Sequence, residues 1–86
     1  MKTTKITVPK IVEMKRNGEK IAALTAYDFT MAKIVDQANI DLVLVGDSAS
    51  MVCSGYDNTL PYTMDEALYH SKSVRRAITN SLLVAD

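Results

Sequence analysis

Leu42-Val43-Leu44-Val45-Gly46-Asp47 and, further on, Ser81-Leu82-Leu83-Val84-Ala85-Asp86 decide how this chain reads. Each is a short run that is apolar at nearly every position and then ends in a carboxylate. Unbroken rather than alternating hydrophobicity is what a strand covered on both faces requires, as in a parallel sheet. A buried helix segment has the same local pattern. The β-branched content of the first run, flanked by Asp41 and Gly46, favours a strand. A third run, Ile21-Ala22-Ala23-Leu24-Thr25, lies upstream and reads as the first strand.

Helical signals fill the spaces between these runs. Asp28 is placed as an N-cap, and Asn39 as a stop. Between them Met31, Ile34, Val35 and Ala38 recur at helical spacing, which directs Lys33, Asp36 and Gln37 elsewhere. Thr63-Met64-Asp65-Glu66 has the form of a capping box, with Glu66 able to reach back to the Thr63 amide. Met64, Ala67, Leu68, Ser71, Val74 and Ile78 then mark one face of the helix it opens, which closes at Thr79-Asn80. Residues 47–62 show no periodicity and are rich in Ser, Gly, Asp, Asn and Pro. A loop of that length in a compact domain usually covers a site. Ahead of the first strand, Thr7 caps a helix that begins at Val8-Pro9 and ends at Asn17-Gly18, with Gly18 suited to a left-handed position.

The predicted order is a helix followed by β-α-β-α-β, and strands joined by helices imply parallel pairing with right-handed crossovers. The third strand has no helix after it to cover one sheet face. The chain therefore reads as a single partial domain over residues 1–86, the N-terminal portion of a longer α/β protein.

Acidic and basic residues balance at ten each, so the basic excess of a nucleic-acid-binding surface is missing. Arg75-Arg76 is expected to answer the dipole at a helix end. A single cysteine, Cys53, excludes an internal disulfide, and one cysteine with one histidine argues against structural zinc. No apolar run approaches the ~18 residues of a membrane span. The stretch MKTTKITVPK has a basic start without the apolar core of a signal peptide. These features predict a cytoplasmic protein without nucleic-acid or membrane partners.

In a parallel sheet Asp47 and Asp86 emerge at the same C-terminal edge, where α/β folds place their sites. Two neighbouring carboxylates repel unless one is protonated or a cation lies between them. A hard divalent cation such as Mg2+ accepts one or two carboxylates and keeps waters or substrate oxygens. The competing reading is that each Asp caps a helix or stays solvated. Tyr27 leaves the first strand at the same edge, either packing or offering its hydroxyl to a ligand. Ser48 is placed to hold a substrate carboxylate through its hydroxyl or amide. It lies in no Gly-x-Ser-x-Gly elbow. His70 reads as a structural histidine, and the three glycines form no phosphate loop.

Taken together, Thr-Ala-Tyr-Asp (25–28), Leu-Val-Gly-Asp-Ser (44–48), Gly-Tyr-Asp-Asn-Thr-Leu-Pro (55–61), Tyr-His (69–70), Val-Arg-Arg (74–76) and Leu-Leu-Val-Ala-Asp (82–86) resemble the ketopantoate hydroxymethyltransferase family in order and spacing. The resemblance runs from about residue 20 to the end. It implies the first three strands of a (β/α)8 TIM barrel and a cytoplasmic homodecamer. It implies Mg2+ held by Asp47 and Asp86, and 3-methyl-2-oxobutanoate contacted by Asp47, Ser48 and Asp86, with Tyr27 near the pocket. The implied co-substrate is 5,10-methylenetetrahydrofolate, whose one-carbon unit is attacked by a metal-stabilised enolate. The family's catalytic base, its lysine and its third acidic residue are expected beyond Asp86, so the 86 residues alone are expected to be inactive. The chain departs from the family at Ala49-Ser50-Met51, where Leu-Gly-Met is common, and at Gly55-Tyr56, where Gly-His is common. Two alternatives stay open: another Mg2+ barrel enzyme of the phosphoenolpyruvate mutase/isocitrate lyase group, and a non-catalytic α/β binding or assembly module.

Overall fold

A computed structural model describes residues 5–86 of the chain. The first four residues of the basic N-terminal stretch lie outside the described residues. The elements in order are α1 (Val8–Arg16), β1 (Ala23–Thr25), α2 (Phe29–Gln37), β2 (Leu42–Val45), α3 (Ala49–Val52), α4 (Met64–Ala77) and β3 (Leu82–Ala85).

The local signals act as read. Thr7 and Asp28 each accept a hydrogen bond from the amide three residues on, at 3.3 and 2.8 Å. Gly18 takes a left-handed φ of 72°, and Asn39, just past α2, one of 63°. At α4 both halves of the capping box form. The Thr63 hydroxyl accepts from the Glu66 amide, and the Glu66 carboxylate accepts from the Thr63 amide. The strands begin later than read, at Ala23 and Leu82. The stretch read as one loop contains the single-turn α3, whose four residues are too few to show a period.

The three strands form one parallel sheet in the order β1-β2-β3, with Ala23, Leu42 and Leu82 in register. Both crossover helices pack on the same face. Ala32 and Val35 of α2 and Val74 and Ala77 of α4 meet Val43 and Val45 of β2, with Ala26 and Ile78 completing the core. Covering β2 on both faces was the expectation; here cover is one-sided. Val43 and Val45 are buried, while Leu42 and Leu44 are half-buried and line an open hollow with Ala23, Leu24 and Thr25. Sequential parallel strands with helices on one face are the arrangement of a barrel segment rather than of a doubly wound sheet.

Helix α2 corrects the sequence reading most. Met31 and Ile34, placed on its apolar face, are 50 % and 56 % exposed. Asp36, directed away from the core, is 2 % exposed. The buried stripe is Ala32, Val35 and Asp36, one residue step round from the predicted one. The reason is a polar bolt. Asp36 Oδ1 accepts from the amides of Asn80 (3.0 Å) and Ser81 (2.8 Å), and Oδ2 accepts from the amide (3.1 Å) and hydroxyl (2.8 Å) of Thr79. Burial by itself raises the carboxyl pKa. The hydrogen bonds from Ser81, Thr79 and Asn80 together outweigh it and bring the value from 3.8 down to about 2. On α4, similarly, Met64 and Leu68 of the predicted face remain exposed, and burial concentrates in Val74 and Ala77.

The N-terminal edge carries further ties. Asp41 is buried and accepts from the Ala22 amide through Oδ2, and the Ile6 amide donates to the Asn80 carbonyl. Among the described residues no helix is long and apolar enough to cross a membrane.

Candidate functional site

Three segments meet at the C-terminal edge of the sheet. The ladder continues past the strands: the Ala26 amide donates to Leu44 O, and the Asp86 amide donates to Val45 O at 2.9 Å. The first bond fixes where Tyr27 leaves the sheet. The second fixes Asp86 beside the exit of β2, close in register to Asp47. Both aspartates are exposed there. The sequence expectation that the two carboxylates share one edge therefore holds for the backbone.

Ser48 opens α3 but makes no side-chain capping bond. Its hydroxyl oxygen lies instead 2.6 Å from that of Tyr27. The Tyr27 backbone carbonyl in turn accepts from His70 Nδ1 at 2.8 Å. A carbonyl only accepts, so this contact places the imidazole proton on Nδ1. His70 sits among three aromatic rings, edge-on to Tyr27 and Tyr69 and stacked with Tyr62 at 6.5 Å and 21°. It is the structural histidine expected from sequence, with a more specific task than filling space.

Residues 53–62 close over the start of α3. The Ser50 hydroxyl donates to Asn58 O, so the departure from the family pattern at Ser50 adds a side-chain bond within this loop, whereas the Tyr56 amide donates to Ser50 O through a main-chain bond that does not depend on the tyrosine side chain. The Tyr62 hydroxyl at its end is buried with no hydrogen-bond partner. Burial, and then the negative charge of Glu66 with smaller effects that include Asp47, pushes this hydroxyl above its ordinary pKa. Sequence reasoning did not single out Tyr62 or the link from His70 to Tyr27. The spacing of Glu66 and His70, one turn apart on α4, was the available signal that both face the same neighbours.

Asp28, read from the sequence as an N-cap, is engaged as the cap of α2. Among the described residues no three His, Cys, Asp or Glu side chains gather as a metal cluster. Asp47 and Asp86 thus offer a two-carboxylate, all-oxygen donor set, open to water. That is enough for Mg2+, which usually takes one or two carboxylates and completes its shell with waters and substrate oxygens.

The profile of the family described as ketopantoate hydroxymethyltransferase matches residues 5–86. A 3-methyl-2-oxobutanoate hydroxymethyltransferase from Christiangramia forsetii is 63 % identical over 82 residues, 95 % of this chain and 30 % of that protein. Its counterpart from Flavobacterium johnsoniae is 57 % identical over the same length, with the same coverage. The one from Geotalea uraniireducens is 56 % identical over all 86 residues, which cover 32 % of its length. The chain therefore spans about a third of the curated relatives it matches. With the family profile running through β1, β2, β3 and the residues at their C-terminal ends, the chain belongs to the ketopantoate hydroxymethyltransferase family.

Proposed function

We propose that the full-length protein is a one-carbon transferase that converts 3-methyl-2-oxobutanoate to 2-dehydropantoate, with 5,10-methylenetetrahydrofolate as donor. The observation that carries this reading is the placement of Asp47 and Asp86 just past the C-terminal ends of the adjacent parallel strands β2 and β3, in a chain of this family. In the reaction the C3 proton of the oxo acid leaves and the resulting enolate carbon bonds to the methylene carbon. Both carbon–nitrogen bonds that hold the methylene to the folate break, water supplies the hydroxyl of the product, and the two nitrogens take up the C3 proton and the proton released from water.

In this reading Asp47 and Asp86 hold Mg2+, which when bound supplies Lewis-acid stabilisation of charge on the 2-oxo group. The residues present serve binding and orientation. Asp47 and Asp86 bring the metal to the sheet edge, and the Ser48 hydroxyl donates to an anionic oxygen of the oxo acid. Tyr27 lines the same side. None of the described residues is assigned the role of base. The proposal extends to a (β/α)8 barrel completed by further βα units, a homodecamer and a cytoplasmic setting.

The test uses the full-length protein. Mg2+ should raise the melting temperature and be required for 2-dehydropantoate formation, and a chelator should reverse both. Binding to the native state alone at one hundred times Kd stabilises by about 2.7 kcal/mol. Asp47→Asn and Asp86→Asn should each abolish the metal-dependent rise in melting temperature. Activity on a 2-hydroxy or phosphono acid, without hydroxymethyl transfer, would move the protein to the phosphoenolpyruvate mutase/isocitrate lyase group. A metal response that survives both substitutions would remove the metal from this edge.

A further inference from the structure

In the contact between Tyr27 and Ser48 either hydroxyl can donate, and the chemistry of the two groups favours one direction. A phenol is the more acidic hydroxyl and hence the better donor; an aliphatic alcohol is the better acceptor. With the Tyr27 proton on Ser48 Oγ at 2.6 Å, the Ser48 hydrogen is left to point at something else. Ser48 does not spend its hydroxyl on capping α3. Tyr27 itself lies in the short connection between β1 and α2, where backbone torsions alone hold a side chain loosely. His70 removes that freedom by donating from α4 to the Tyr27 carbonyl, and its ring packs edge-on to the Tyr27 ring at 6.4 Å between centroids.

We propose that Tyr27 and His70 are positioning residues: His70 fixes Tyr27, and Tyr27 aims the Ser48 hydroxyl as a donor toward an anionic oxygen of the 2-oxo acid. This rests on the function proposed above and assigns it an orienting relay through three segments, α4, the β1–α2 connection and the β2–α3 connection. Tyr27 acts through Ser48 and not on the substrate, because its own proton is already committed. The cost of losing Tyr27 is then felt only where Ser48 is present to be aimed.

A double-mutant cycle on the full-length protein tests this: wild type, Tyr27→Phe, Ser48→Ala and the double variant. KM and kcat for 3-methyl-2-oxobutanoate are measured, and its Kd is obtained by calorimetry. Tyr27→Phe should raise KM and Kd about tenfold, the size of one aimed hydrogen bond to a charged group, with a smaller change in kcat. In the Ser48→Ala background the same change should cost less than about twofold. Equal losses in both backgrounds would overturn the relay and leave Tyr27 as a packing residue or a direct ligand. His70→Asn, which keeps a donor near the position of Nδ1, should restore most of the affinity lost in His70→Ala. Equal impairment in the two would overturn the His70 assignment, and this pair decides the matter if Tyr27→Phe does not fold. A wild-type protein that neither binds nor converts the oxo acid overturns the proposed function and the relay together, whereas an active wild type with an additive cycle overturns the relay alone.

Discussion

Replacing Asp36 by Asn should expose how much the buried bolt between α2 and the entry to β3 contributes. The carboxylate takes two hydrogen bonds on each oxygen, all between 2.8 and 3.1 Å. An amide can keep its oxygen toward the Asn80 and Ser81 amides and turn its NH2 toward Thr79, whose hydroxyl can reverse to accept, so the bond from the Thr79 amide is the one lost outright. That one partly buried bond is worth about 1 kcal/mol, and with the loss of the carboxylate's charge the total comes to about 2–4 kcal/mol at pH 7. The ionic part can be separated by pH. A carboxyl whose pKa falls from 3.8 to about 2 on folding contributes about 2.4 kcal/mol at neutral pH, at about 1.36 kcal/mol per unit. Because the folded value is the lower one, that stability is complete well above pH 3.8 and disappears as pH falls through about 2. By linkage it amounts to about 1.3 kcal/mol at pH 3. Urea unfolding of the full-length protein, wild type against Asp36→Asn, at pH 7 and at pH 3 measures both parts. The gap between them should narrow by about 1 kcal/mol at pH 3. A variant as stable as wild type at pH 7, or a gap that widens in acid, would refute the reasoning.

Tyr62→Phe should leave stability unchanged or raise it by about 1 kcal/mol, since it removes a buried hydroxyl that has no partner. A lowered melting temperature would mean that the hydroxyl is bonded after all. Thr63→Ala should cost about 1 kcal/mol by breaking the capping box of α4, and Thr63→Ser should recover most of it. Equal melting temperatures for the two would show that the cap does not limit stability.

Features written in short-range chemistry were legible from the chain. Thr7, Asp28 and Thr63 cap helices because a side-chain oxygen reaches an amide three residues on, a distance that sequence spells out directly. Leu42–Val45 could be read as a strand, and the edge shared by Asp47 and Asp86 followed from two strand ends. What stayed hidden depends on partners far along the chain. Asp36 is charged and followed by Gln37, and so looks like a solvent-facing residue, yet its donors are 43 to 45 residues away. Charged residues carry no apolar signal, so the helical period placed the stripe on Met31 and Ile34 instead. The contacts from His70 to Tyr27 and from Tyr27 to Ser48, separated by 43 and 21 residues, were equally invisible. Their residue types were on view, but their meeting depends on how α4 lies over the sheet.

The Asp36 bolt also bears on how βα units can be exchanged between relatives. Parallel α/β chains look modular, with each strand and helix a block for recombination. Here a side chain on the first crossover holds the turn that ends the second, so the two blocks share a joint. The demands at that joint are unequal. Three of the four bonds to Asp36 come from main-chain amides, which any sequence supplies if the turn is kept, and only the Thr79 hydroxyl is side-chain chemistry. A chimera should therefore accept a foreign segment at 79–81 far more readily than a foreign α2 that lacks an acid at position 36.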